Sequence, residues 1–304
     1  GVTECAGVGP GVPCETEEAA MRVVLGGVRG SSPRTHPDFM QFGGATSCVL
    51  VEEQGTCAVL DAGTGLRAFA GELGVLRSTP PLLLFTHYHL DHVIGLPSFA
   101  PLYDPGWSAV LAAPDREGVS VETAVERLTA APFWPVTFRA RIRFERLPDE
   151  CPEPPCRHGA LEVRWCAVRH RNGCHAYRLD AAEAGGASMA LVTDLEWTAS
   201  SALEQAALLY LLRRPRPVDL LLIEGYDAAA HPDAFGHSAW RETLGLARAA
   251  GARRVVVTHH APEDTDRSLT RREAEVQNVF PGARFGRDGM IFSWRGASES
   301  PEPV

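Results

Sequence analysis

FTHYHLDHVIGLPSF (residues 85–99) sets His87, His89, Asp91 and His92 within six positions, directly after an apolar run. Residues two apart on an extended segment point to the same side. His87 and His89 therefore face one metal together, and Asp91 and His92 on the following turn reach a position beside it. Cysteine is absent from this cluster, which removes the thiolate bias of a structural zinc site. Imidazole and carboxylate donors suit Zn²⁺ first, with Mn²⁺ or Fe as alternatives.

Outward from that stretch, TCAVLDAG, PLLLFTH, LEVRWCAVRH, MALVTD, VDLLLIEG and RRVVVTHH read as buried strands, and MRVVLGG as a first strand beginning at Met21. SSALEQAALLYLLRR and HSAWRETLGLARAAG read as helices, the first capped by Ser200 or Ser201, the second started by Ser238 and stopped by Gly251. Their alternation predicts an α/β architecture. Asp61, His87, His170, Asp194 and His259 each fall at the carboxyl end of such an apolar segment, so they converge on one rim. In open α/β sheets that rim is where loops build the active site. A single Zn²⁺ takes about four ligands. His87, His89, Asp91, His92, His170, Asp194 and His259 offer more than that, so two divalent ions are expected.

Composition narrows the rest. The chain has 304 residues, 45% hydrophobic and 22% charged, as a soluble globular protein does. The formal net charge of -9 disfavours polyanions, so extended nucleic-acid binding is not expected. Every basic residue is Arg, which excludes lysine catalysis. No run approaches the ~20 apolar residues of a membrane span, and the N-terminal stretch lacks the pattern of a secretory signal, so no membrane partner and a cytoplasmic location are expected. Residues 1–20 read as a flexible N-terminal extension, 21–296 as the folded domain and 297–304 as a flexible tail. Cys151 and Cys156 read as free thiols in a Pro-rich loop.

Several motifs together, LDAGTG (60–65), THYHLDH (86–92), the strand-end His170, VTD (192–194), GHS (236–238) and VVTHH (256–260), resemble the metallo-β-lactamase superfamily from about Met21 to about Trp294. The resemblance implies an αββα four-layer sandwich. It also implies a dinuclear centre in which His87, His89 and His170 bind one metal and Asp91, His92 and His259 the other. Asp194 would bridge the two ions, and Asp61 would orient a ligand through hydrogen bonds. GHS followed by a helix and then VVTHH is most similar to the phosphodiesterase branch that contains tRNase Z. VRGSSP, GGATSC and GLPSFAPLY point to a bacterial subgroup of metal-dependent hydrolases. One departure stands out: where tRNase Z has His-Glu-Ala-Thr, this chain has Ile223-Glu224-Gly225-Tyr226, keeping Glu224 and losing the histidine. No Gly- and basic-rich arm for gripping tRNA is apparent either.

Two cations that share a water or hydroxide lower its pKa and neutralise phosphoryl charge, so the expected reaction is hydrolysis of a small or nucleotide-like phosphodiester. Asp91 and Asp194 are the expected catalytic carboxylates, and His237, just before a helix, the expected proton donor to the leaving oxygen. The alternatives are a hydrolase of thioesters, lactones or other carboxyl derivatives, and a metal-binding sensor module with little turnover. A homodimer stays open. Among weaker candidates, His260 should point away from the metals, His175 and Cys174 should pack, and His231 is either a loop residue or a substitute for the missing histidine. RARIRFER (139–146) reads as an exposed strand face, and APFWPVTF (131–138) as either a substrate-stacking flap or a packed loop.

Overall fold

Alternate residues of a strand face opposite ways, and here they enter different apolar layers. Val23 and Leu25 join one core and Val24 another; Leu82 and Leu84 part from Leu83; Leu220 and Leu222 part from Leu221 and Ile223. The computed structural model describes residues 20–226, 236–296 and 298–304. Its strands are β1 (Met21–Gly27), β2 (Cys48–Glu53), β3 (Thr56–Leu60), β4 (Leu82–Leu84), β5 (Ser108–Pro114), β6 (Arg141–Leu147), β7 (Cys156–His158), β8 (Leu161–Val168), β9 (Cys174–Ala181), β10 (Ser188–Val192), β11 (Leu220–Glu224), β12 (Arg254–Thr258), β13 (Arg284–Phe285), β14 (Ile291–Trp294) and β15 (Glu302–Pro303). Its helices are α1 (Ala70–Gly74), α2 (Leu90–Val93), α3 (Val121–Leu128), α4 (Ala202–Arg213), α5 (Trp240–Ala250) and α6 (Asp266–Val279).

One sheet runs β15-β14-β1-β2-β3-β4-β5-β6 and the other β13-β12-β11-β10-β9-β8-β7. The central core lies between them, with Leu84, Trp165, Tyr177, Leu222 and Trp294 among its buried members. The helices of the first half cover the outer face of the first sheet through Phe69, Leu73, Val121 and Val125. α4, α5 and α6 cover the second through Leu212, Leu244 and Leu269. That is the four-layer αββα sandwich. Truncating a central residue such as Leu222, which is 0% exposed, to alanine would leave a cavity worth about 2–5 kcal/mol.

Local sequence explains the helix limits, with one correction. α4 starts on a capping box, in which the Ser201 hydroxyl accepts from Glu204 N and Glu204 accepts from Ser201 N. Gly251, left-handed at φ 71°, stops α5. Ser238 does not start α5: the N-cap is Ala239, without a side-chain cap. The Ser238 hydroxyl instead accepts from Trp197 N (2.8 Å) and donates to the Leu195 carbonyl, tying the helix approach to the loop after β10. The expected flexible tail is also corrected. Pro301 is buried, Glu302–Pro303 pair with β14, and Arg254 holds the Pro301 carbonyl and the Glu302 carboxylate. The expected N-terminal extension lies, apart from Ala20, outside the described residues. β6 presents its arginines outward from a sheet edge, while Ile142 and Phe144 pack inward.

Candidate metal centre

The apolar β4 delivers the chain to one rim of the sandwich, where burial changes from hydrophobic to ionisable side chains. His87 follows, His89 is extended at the start of α2, and Asp91 and His92 sit on the single turn of that helix. The second sheet supplies the opposite wall: His170 after β8, Asp194 after β10, Glu224 at the end of β11 and His259 after β12. Asp61, Asp194 and His259 all take left-handed backbone, φ 61°, 51° and 55°. Non-glycine residues adopt this region rarely, at about 1–3 kcal/mol each, and Asp and His tolerate it better than most. Here it turns three strand ends sharply onto the rim. Gly30 passes so close to His259 that a Cβ would lie 2.6 Å from the ring.

Asp194 stands between two groups of donors. Its Oδ1 lies 3.7 Å from His87 Nε2 and 3.6 Å from His170 Nε2, whereas its Oδ2 lies 3.2 Å from His92 Nε2 and 3.3 Å from His259 Nε2. His89 Nδ1 joins the first group, 3.3 Å from His170 Nε2. Asp91 Oδ2 joins the second, 3.2 Å from His92 Nε2 and 3.3 Å from His259 Nε2, and also accepts from Ser31 N at 2.8 Å. Within each of the sets His87, His89, His170, Asp194 and Asp91, His92, His259, the donor atoms lie within 4.8 Å of one another.

The rings are fixed from behind. His92 Nδ1–H donates to Asp61 Oδ2 at 2.8 Å, and His170 Nδ1–H to the Gly236 carbonyl at 3.0 Å. His87 Nδ1–H reaches Thr86 Oγ1 at 3.0 Å, and that hydroxyl donates in turn to Asp61. The Nε2 atom of His87 is left buried with no hydrogen-bond partner. A buried unpaired nitrogen costs about 1–3 kcal/mol, and a cation removes that cost. Burial pushes His87 and His170 below the ordinary histidine range, favouring the neutral form that a ligand needs. Burial opposes charge on Asp91 and Asp194 too, but their histidine neighbours hold both well below the usual carboxylate range. Burial likewise opposes charge on His92, and there Asp91, Asp194 and Asp61 prevail and raise it. The residues present fit divalent cations.

His237 and Glu224 adjoin this cluster. Glu224 is fully buried; its Oε1 accepts from Leu195 N (2.8 Å) and Ser238 N (2.9 Å), and its Oε2 pairs with His237 Nδ1 at 2.9 Å. His237 Nδ1 lies 3.7 Å from Asp194 Oδ1, and Tyr226 stacks on the ring at 4.5 Å. Burial works against the imidazolium, but Glu224 and then Asp194 raise His237 to about 9. Sequence reasoning kept Glu224 without giving it a partner; its signal was a carboxyl closing a wholly apolar strand. The supporting roles of Thr86, Ser31 and Tyr226 had no signal in the pattern. His260 points away, bonded to the Gly286 carbonyl at 2.9 Å and packed against Phe42 and Phe285. His175 and Cys174 are buried, the latter with Sγ 3.8 Å from His87 Nδ1. His231 lies outside the described residues.

Residues 42–114 match the family described as the metallo-beta-lactamase superfamily, and the fold and donor set agree with that likeness. Over 85% of its length the chain is similar, at 27% identity, to a protein named Ribonuclease Z from Salinibacter ruber, of which 92% is covered. Among solved structures it resembles a metallo-beta-lactamase fold protein, YhfI, from Bacillus subtilis (TM-score 0.63, 19% identity, 91% of this chain and 100% of that one). It also resembles a diphosphatase from the PhnP family (TM-score 0.65, 17% identity, 91% and 98%). At these identities the structural likeness speaks for the fold. No helix among the described residues is long and apolar enough to cross a membrane.

Proposed function

We propose that the protein is a dinuclear metal-dependent phosphodiesterase acting on a small or nucleotide-like diester. The observation that carries this reading is the split of Asp194, one carboxylate oxygen to each group of donors. His87, His89 and His170 would hold one ion, Asp91, His92 and His259 the other, with Asp194 shared between them. When bound, two such cations acidify water toward neutral pH and neutralise charge on phosphoryl oxygens. The chain's own groups do the rest. Asp61, Thr86 and the Gly236 carbonyl fix which nitrogen each imidazole presents. With Nδ1 held by Glu224, the His237 imidazolium has Nε2–H left to give to a leaving oxygen.

The relative named Ribonuclease Z favours a phosphodiester over a thioester or lactone, and it gives no support to the expectation that nucleic acid is excluded. Elemental analysis of protein purified without chelator should approach two metals per chain, Zn²⁺ being the first expectation and Mn²⁺ or Fe the alternatives. Turnover of bis-p-nitrophenyl phosphate should depend on them. Asp194→Ala should lower occupancy of both ions, because a shared carboxylate belongs to each coordination sphere. A stoichiometry near one after reconstitution, or turnover confined to thioesters or lactones, would overturn the proposal.

A further inference from the structure

Phe133 and Trp134, in the segment 131–138, line a cavity of about 880 Å³ that opens onto His87 and His89. Leu90, Ile94 and Leu128 line it as well. Trp134 is anchored: its indole N–H donates to Tyr103 Oη at 2.8 Å, and that hydroxyl donates to the Pro97 carbonyl at 2.6 Å. Phe138 is held against Tyr103 too, ring centroids 5.4 Å apart. Although pinned at both places, the segment leaves Phe133 82% exposed, and Leu90 and Ile94 in the same cavity are 62% and 41% exposed. A loop that merely packed would turn its phenylalanine inward.

Large apolar side chains gathered on one concavity mark a ligand site. The volume suits a small molecule, within the ~300–1,000 Å³ common for such sites. The charge does not suit a polyanion. Arg116 is spent on the carbonyls of Phe85, Thr86 and Pro114, which leaves Arg127 at the exposed edge together with Glu117. A stripe of cations, as a nucleic-acid backbone needs, is not formed here.

We infer that this cavity seats an uncharged aromatic substituent of the substrate against Phe133 and Trp134, with the scissile group at the His87 and His89 end. The inference rests on the hydrolase reading for the scissile group, but binding tests it without turnover. Calorimetry on the metal-loaded protein would compare phenylphosphonate with methylphosphonate, which share the anion and differ in the ring. Phenylphosphonate should bind about tenfold or more tightly, the scale of burying one aromatic ring. Phe133→Ala, at a position too exposed to matter for folding, should remove most of that difference, and Trp134→Ala much of the remainder. Equal affinities, no binding of phenylphosphonate at millimolar concentration, or a difference that survives both substitutions would overturn the inference. A ring-dependent difference in a protein that turns over no diester would instead uphold this pocket and sink the phosphodiesterase reading.

Discussion

Asp61→Asn isolates the contribution of a group that belongs to neither donor set. Asp61 Oδ2 accepts from His92 Nδ1 at 2.8 Å with both side chains fully buried, and Thr86 donates to the same carboxylate through its amide (2.8 Å) and its hydroxyl. Asparagine is the same size and tolerates the left-handed φ of 61° at this position. It must, however, turn an NH₂ toward one of those donors. Facing His92, it would drive the ring proton to Nε2, the atom that faces Asp91 and Asp194. Losing an orienting carboxylate of this kind costs about 10–100-fold in metal affinity, or about 1.4–2.8 kcal/mol. Competition titration of apoprotein with Zn²⁺ against a chromophoric chelator should show that loss in one of two binding steps. The other step should weaken less, because Asp61 reaches His87 only through Thr86. His259→Ala strips a donor from the same group, so adding Asp61→Asn to it should cost little more. Unchanged affinity in both steps, or full additivity with His259→Ala, would refute the reasoning.

His237→Ala should keep metal content and lower kcat by ~10²-fold on a diester with a poor leaving group, and by much less on a p-nitrophenyl diester; equal losses in steady-state kinetics would reassign the residue to substrate positioning. Glu224→Gln removes the carboxylate that raises His237 to about 9. An acid works only below its pKa, so activity on the poor leaving group is lost as pH rises through it, and the variant's pH–rate profile should fall at lower pH than the wild type's. Bound cations shift both profiles downward, leaving their order unchanged. Ser201→Ala breaks the capping box of α4, and chemical denaturation should read a loss of about 1 kcal/mol with kinetics unaltered.

The strand ends were legible because each apolar run stops at an ionisable residue, a contrast that survives without any tertiary information. β9 was not, since buried Arg178 and Asp180 interrupt its apolar pattern. They pair with each other along the strand, and Arg178 also serves carbonyls at the end of α4, a solution visible only in three dimensions. Ser238 misled for a related reason: its hydroxyl has two partners more than forty residues away and none in the helix it precedes. Phe133 and Trp134 left two readings open, because an aromatic Pro-rich stretch looks the same whether it packs or lines a cavity. The residues that gather at the rim were readable from strand ends and spacing, whereas Thr86 and Ser31 act through contacts that no local pattern encodes.

The donors come from both sheets, with Asp91 and His259 lying 168 positions apart. A cation held among them is therefore a cross-link between the two halves of the sandwich at one edge, with the central apolar core left to hold the rest. A ligand that binds only the folded chain stabilises it by about 2.7 kcal/mol at a hundredfold excess over its Kd, a sizeable share of what an ordinary domain has to spare. On the proposed function, metal supply would then set how long the protein lasts as well as how fast it works. A substitution deep in either sheet that shifts one half against the other weakens metal retention without touching a single ligand.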